Sequence, residues 1–554
     1  MMPAPPPSRT FRWIATALIA WAATGHSHAQ TYINTEWVQS IGSPDAMIPW
    51  TASTMDAAGN LIVVGNTESG PGHTDVLVTK YNSAGDLLWQ QTYNGTANGD
   101  DHGIVVEATA GGDIFVAATV TITGNEQDFA VLKYNATGTL QWAATWNGPT
   151  GLADVPSDMA IDNAGNVFVC GATFTGAALT DYALVKFNAS GAFQWAQTYD
   201  HIGLIDAATS VKLDGSGHPI ITGGSASAVN SWDYATLRYN GATGAGMDTV
   251  RVALPGVGLD QPLGMSMDEA GNIYVTGYRT NGGQKDIQTL KFAHDLELAW
   301  VVDHDGTGHD DAGQAVAADV SGNVYVAGYV GNQYGGSDFI TIKYSAAGAQ
   351  QWLQRHRVHS TSWKAQATKI AVSGNRIVVT GSAVRSGSLD YATVCYNGAG
   401  DVQWSKTHDA AGDDDLALAL AVGNNGVYYV SGITEGPDGP AYTTVKYDVY
   451  HHGSDAVTDS LGNPLYFDDE VIVKVRGHLV DTTFVDRPQM QHTTLDRLVP
   501  DSVADALAGA FGVAATRVKV MKVFRRWTRA DSISISRLGD EVRLPEYWSR
   551  SEEH

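Results

Sequence analysis

Apolar and polar positions alternate in short runs along most of the chain, and the runs come in sets of four. In residues 158–196 the runs Asp158-Met-Ala-Ile161, Val167-Phe-Val-Cys170, Tyr182-Ala-Leu-Val-Lys-Phe187 and Phe193-Gln-Trp-Ala196 carry the period of two that strands require. We label them a to d. The a–b link, Asp162-Asn-Ala-Gly-Asn166, and the c–d link, Asn188-Ala-Ser-Gly191, predict tight hairpins, because Gly supplies positive φ and Asp or Asn closes the turn through its side chain. Both short turns then fall on one edge of the sheet. The longer b–c link (173–180) and d–a link (198–207) fall on the other.

The set is repeated. Asp268-Glu-Ala-Gly-Asn-Ile-Tyr-Val-Thr-Gly277 precedes Trp300, and Asp319-Val-Ser-Gly-Asn-Val-Tyr-Val-Ala-Gly328 precedes Trp352. Tryptophans stand at 37, 89, 142, 195, 300, 352 and 404, and Met247 fills the one gap, so eight positions recur every 52 or 53 residues. Four antiparallel strands per repeat at that period predict a propeller blade. The last copy has strands a, b and c near 416–422, 428–431 and 442–447 but no Trp-bearing strand d. Thr35-Glu-Trp37-Val-Gln39, at the other end, is the missing strand. An all-β, eight-bladed β-propeller over residues 30–447, closed by its N-terminal strand, is therefore expected, with seven blades plus an atypical segment as the alternative. Closure of this kind removes free strand edges.

These motifs, Asp-x-x-Gly-Asn-[Ile/Val]-Tyr-Val-x-Gly, then Asp-[Tyr/Phe]-x-x-x-Lys-Tyr-Asn, then Gly-x-x-x-Trp, resemble the bacterial SBBP β-propeller repeat family over residues ~35–447. The resemblance implies an exported surface or periplasmic protein without an established activity. The family's name implies seven blades, which the count exceeds. Gly-x-x-x-Trp is also similar, more loosely, to the tryptophan-docking repeat of eight-bladed quinoproteins.

The chain's two ends differ from the repeats. Residues 1–29 read as a signal peptide: Arg9 and Arg12, an apolar run from Trp13 to Ala23, and Ser27-His28-Ala29 as a cleavage site. The apolar run is shorter than the ~20 residues of a membrane span, and no later run competes with it. Residues 448–554 read as a small α+β module, truncated in one reading, with strands at 470–476, 517–524 and 532–536 and a helix at 500–511. It resembles the region after the propeller in some exported relatives.

The net charge of −25 sits mostly in the repeats, where residues 30–447 hold 41 acids against 18 Lys and Arg. Such a surface repels nucleic acid and anionic lipid and attracts cations or basic partners. Only Cys170 and Cys395 occur. They lie in nearly opposite blades, too far apart for a disulfide, so two separate thiols are expected.

Candidate chemistry lies on the long-loop edge. Asp101, Asp154, Asp206, Asp260, Asp311 and Asp415 precede strand a in six copies, and an Asp opens strand c in seven. Recurrence predicts acceptors for loop N–H groups. The functional alternative is that the first set crowds the channel mouth and holds Ca2+. The symmetry breaks in the seventh copy, where Lys364 replaces the Asp within a basic loop that also holds Arg355, Arg357, His359 and Trp363. That loop could capture an anionic sugar or a carboxylate, with Trp363 stacking on a ring. The strand-c Lys/Arg ladder (Lys80, Lys133, Lys186, Arg238, Lys291, Lys343, Lys446) predicts pairing between strands or blades rather than a catalytic base. No nucleophile elbow, zinc-protease or P-loop motif occurs. The expected function is an exported, non-catalytic propeller, a monomer, that binds a protein or polysaccharide partner. The rival is a metal- or cofactor-dependent enzyme, a hydrolase, lyase or quinoprotein-like dehydrogenase, at the channel mouth.

Overall fold

The computed structural model describes residues 31–41 and 51–451, apart from loop segments at 71–72, 123–125, 177–178, 229–230, 253–257, 358–363, 424–425 and 437–438 and positions 307, 386 and 411. Beyond 451 it describes the strands 470–474, 492–494, 519–521 and 532–536. No α-helix occurs among the described residues, and the helix expected at 500–511 lies outside them. The chain divides into two compact units, Thr31–Tyr450 and a second that contains His451–His554. In the second unit the four short strands form one antiparallel sheet in the order 470–474, 532–536, 519–521, 492–494.

The first unit is an eight-bladed propeller. Seven blades are consecutive four-stranded antiparallel sheets, spanning 52–93, 102–146, 154–199, 206–252, 261–304, 311–356 and 365–408. In blade eight, Asp415–Val422, Tyr428–Gly436 and Gly439–His451 supply strands a to c, and Thr31–Ile41 adds the outer strand d. Strand a of each blade touches strand a of the next, including blade eight against blade one, so the a strands line the central channel and the ring is closed.

Burial refines the alternation seen in the sequence. Strands b and c are covered on both faces by neighbouring blades: all eight residues of Ile114–Thr121 are buried. A strand covered on both faces is apolar throughout, which explains the Val-Phe-Val-Cys type of run. Strand d is the outer edge, and Leu87–Tyr93 alternates exposed and half-buried positions. Each fully buried Val, Leu or Phe contributes about 1.5–3 kcal/mol. The turns form as expected: Asp162 Oδ1 accepts N–H bonds from Ala164 (2.9 Å) and Asn166 (2.8 Å).

On the short-turn edge one lock joins successive blades. The strand-d Trp donates its indole N–H to the c–d turn of the next blade, as from Trp89 to Ala136 O (3.1 Å) and from Trp300 to Ala346 O (3.1 Å). The strand-c Lys reaches the same carbonyl, from Lys80 to Ala136 O (3.2 Å) and from Lys291 to Ala346 O (3.2 Å). The indole lies on the turn's glycine: a Cβ at Gly191, where φ is +82°, would stand 2.7 Å from Trp142.

Three boundaries depart from the lock, the mildest between blades three and four, where Lys186 bonds Gly241 O but the Trp195 indole N–H has no partner. Between blades four and five the register places Asp248 opposite Arg238, where other blades pair Trp with Lys, because the c–d turn is one residue longer there. Met247, which the spacing put in that place, is exposed instead. Arg238 pairs with Asp248 and also donates to His294 O (3.0 Å). In the facing turn Leu296 replaces glycine, at φ +65°, and is buried in the core that blades four and five share. Between blades seven and eight the ring has its seam, where the chain supplies strand c from one end and strand d from the other and no c–d turn exists. Trp404 is buried there with no partner for its indole N–H, and Cys395 occupies the lysine position opposite it.

Candidate functional site on the long-loop edge

Strand pairing decides which acids meet. Tyr182 pairs with Tyr199, so Asp181 at the start of strand c comes opposite Asp200, just past strand d. Tyr391 pairs with His408, which brings Asp390 opposite Asp409 in the same way. The first residue of strand a in the following blade, Asp206 or Asp415, completes each group. In both trios one carboxylate oxygen from each Asp lies within 4.8 Å of those of the other two.

All six Asp residues that precede strand a are buried. Each accepts loop N–H groups. Asp101 takes those of Gly95 and Thr121 (2.7 Å), Asp154 that of Gly148 (2.6 Å), and Asp206 that of His201 (2.8 Å). Asp260 takes that of Thr280 (2.7 Å), Asp311 those of Gly306 (2.5 Å) and Gly331 (2.8 Å), and Asp415 that of Ala410 (2.8 Å). No two of these six share a cluster with ligand spacing among the described residues; Asp206 and Asp415 belong to separate trios.

The neighbouring acids are treated differently from blade to blade. In blade four Arg251 pairs with Asp233 at 3.1 Å, and in blade six Arg357 pairs with Asp338 at 3.2 Å. In blade two, burial and then the nearby Asp154 carboxyl push Asp128 up to about 7. Neither Asp128 oxygen has a partner, nor does Asp154 Oδ1, an arrangement that one proton shared between the two carboxyls would satisfy. In blade three, burial and the Asp200 and Asp206 charges push Asp181 up to about 6. In blade seven Asp390 is 1% exposed, and neither of its oxygens has a hydrogen-bond partner. Burial first, then the Asp409 charge, raises it to about 6, and Asp415 also stands near 6, chiefly through burial.

Part of the basic loop is described. Arg355 donates to Gly306 O (2.9 Å), and its charge favours the buried Asp311 carboxylate. Arg357 is 61% exposed while paired with Asp338, and Lys364 is exposed where six other blades bury an Asp. His359 and Trp363 lie outside the described residues.

Two features escaped the sequence reading. One is a set of charges on the channel-lining strands, where Asp158 bonds Lys212 at 3.0 Å across blades three and four and the Glu107 and Lys369 charges act on that pair. Charged residues within otherwise small or apolar a strands were its signal. The other is the Asp just past strand d (200, 305 and 409), visible only once strand pairing is known. The two cysteines are buried and separate, and burial pushes each thiol up to about 12, so neither is a ready nucleophile.

No protein-family model matches the chain, and no curated protein does. Among solved structures it is similar to Chaetomium thermophilum Sqt1 bound to the N-terminus of a ribosomal protein (TM-score 0.41, 11% identity, 76% of this chain and 100% of that one). It is also similar to an ulvan lyase bound to a GlcA–Rha3S saccharide (0.40, 11%, 59% and 88%). A protein of unknown function from Dyadobacter fermentans is a third (0.37, 10%, 76% and 99%). At such identities the likeness concerns fold alone.

Proposed function

We propose that the chain is an exported, non-catalytic propeller whose long-loop edge binds a partner, a protein or polysaccharide, through an anionic group on that partner. Residues 1–29 act as the signal peptide, and the mature protein works outside the cytoplasm as a monomer. Residues 448–554 serve as an accessory or docking module.

The observation that carries this reading is the break at Lys364. Six blades bury a carboxylate at that position under loop N–H bonds, and blade seven exposes a lysine there, while Arg357 is exposed just past the last strand of blade six. A short basic patch on an otherwise acidic edge attracts a carboxylate or sulfate while the surrounding charge turns away other polyanions. Guanidinium groups suit bidentate contact with such anions.

The test is binding of a polyuronic acid and of an acidic peptide, with a neutral glucan as control, to the mature protein and to Lys364→Glu. Saturable binding of one anionic probe that weakens at least tenfold in the variant supports the reading. Equal binding by both proteins, or binding of the neutral glucan alone, overturns it.

A further inference from the structure

The long-loop edge sets a carboxylate at the start of strand c in seven blades, and two blades supply their own cation for it. Arg251 does so in blade four and Arg357 in blade six. Blade seven supplies none. Arg385 acts on Asp390 through its charge, but its hydrogen bond is to Thr407, and among the described residues it forms no ion pair with Asp390. Instead Asp390, Asp409 and Asp415 converge, with one carboxylate oxygen from each inside 4.8 Å of those of the other two. Oxygens that close can share one ion, since two ligands on bonds of about 2.4 Å stand at most about 4.8 Å apart.

We propose that Asp390, Asp409 and Asp415 bind a hard divalent cation, Ca2+, which ties blade seven to the closing blade eight. The second observation is Asp390 itself, which is almost wholly buried and has two oxygens without a partner inside the trio. A buried carboxylate left in this state is costly unless a cation or proton meets it. The other two acids are fixed by the backbone and keep an oxygen for the ion: Asp409 Oδ1 accepts Gly412 N–H (2.7 Å), and Asp415 Oδ2 accepts that of Ala410 (2.8 Å). Their loops are held in turn, since Asp414 Oδ1 accepts the N–H of Leu389, next to Asp390 (2.8 Å). Three carboxylates supply part of the six to eight oxygens that Ca2+ takes, and water completes the shell.

The position gives the ion a structural task. Asp390 and Asp409 come from blade seven and Asp415 from blade eight, and the short-turn lock is missing at this boundary because no c–d turn faces Trp404. The cation holds from one edge a boundary that its other edge leaves unlocked. The homologous trio Asp181, Asp200 and Asp206 is more fully bonded, since Asp206 also accepts Ser225 Oγ–H, and it serves as the internal comparison.

Calorimetric Ca2+ titration and thermal melting of the full mature chain test this, using Asp390→Asn and Asp409→Asn, with Asp181→Asn reporting on the other trio. Wild type should bind Ca2+, and its melting temperature should rise by about 3 °C at a hundredfold excess over Kd. Asp390→Asn should melt higher than wild type in chelator, because it loses the repulsion, and should lose the Ca2+ response. Asp409→Asn, altered at an exposed side chain, should fold normally and bind at least tenfold more weakly, while Asp181→Asn keeps the response. Absence of Ca2+ binding by wild type up to about 10 mM, beyond the weakest extracellular sites, overturns the proposal. So does an unchanged response in both Asp390→Asn and Asp409→Asn.

Discussion

The two edges of this propeller are made from the same eight copies of one repeat, yet they solve their electrostatics in opposite ways. On the short-turn edge one solution is repeated: an indole and an ammonium from one blade share a carbonyl of the next, and a glycine makes room for the ring. On the long-loop edge loop N–H groups meet the strand-a carboxylate in six blades, but the carboxylate at the start of strand c is met differently from blade to blade. An arginine, a second carboxyl and an open trio all occur. Uniformity marks what closes the ring. Variation marks where a ligand can be held without endangering it.

The comparison can be broken most severely at Lys80, whose ammonium bonds Asp56 at 2.8 Å with both side chains under 5% exposed. Burial pushes the Asp56 carboxyl up, but Lys80 and Asn60 bring it below its ordinary value. Lys80→Met leaves that charge unmet and should cost about 3–5 kcal/mol in chemical denaturation. Gly191→Ala comes next, at about 3 kcal/mol, because it combines left-handed backbone strain with the contact to Trp142.

A smaller effect probes the other edge. Asp128 stands near 7 when folded and near 3.8 when unfolded, so its folded form holds the extra proton between those values. Its contribution is complete below about pH 4 and disappears as pH rises through 7. Asp128→Asn should therefore be more stable than wild type at pH 8, by about 1–2 kcal/mol, and show a flatter stability profile from pH 4 to 7. The smallest effect separates lock from seam. Trp142→Phe and Trp404→Phe both lose ring packing, and Trp142→Phe should cost about 1 kcal/mol more, for the bond to Ala189 O, because the Trp404 indole N–H has no partner to lose.

Much of the fold was legible because it rests on local chemistry repeated many times. Asp-x-x-Gly-Asn strongly favours a tight turn, and the strand missing from the last copy is matched by Thr35–Gln39. Spacing failed where a turn gained a residue: one extra position before Met247 moved Asp248 into the tryptophan register. The site was legible by residue type rather than by grouping. Asp206 and Asp415 were visible as members of a six-fold set, but their partners Asp200 and Asp409 come from the end of a different strand. Only the pairing of strands c and d brings those together.

The most direct measurement is hydrogen exchange of the mature protein with and without Ca2+, read by mass spectrometry along the chain. Ca2+ should slow exchange at the long-loop edge of blades seven and eight, in residues 387–391 and 409–416, and leave the short turns at 162–166 and 188–191 unchanged. Unchanged exchange at 387–391 and 409–416, or protection confined to the short turns, would contradict the division of labour between the two edges.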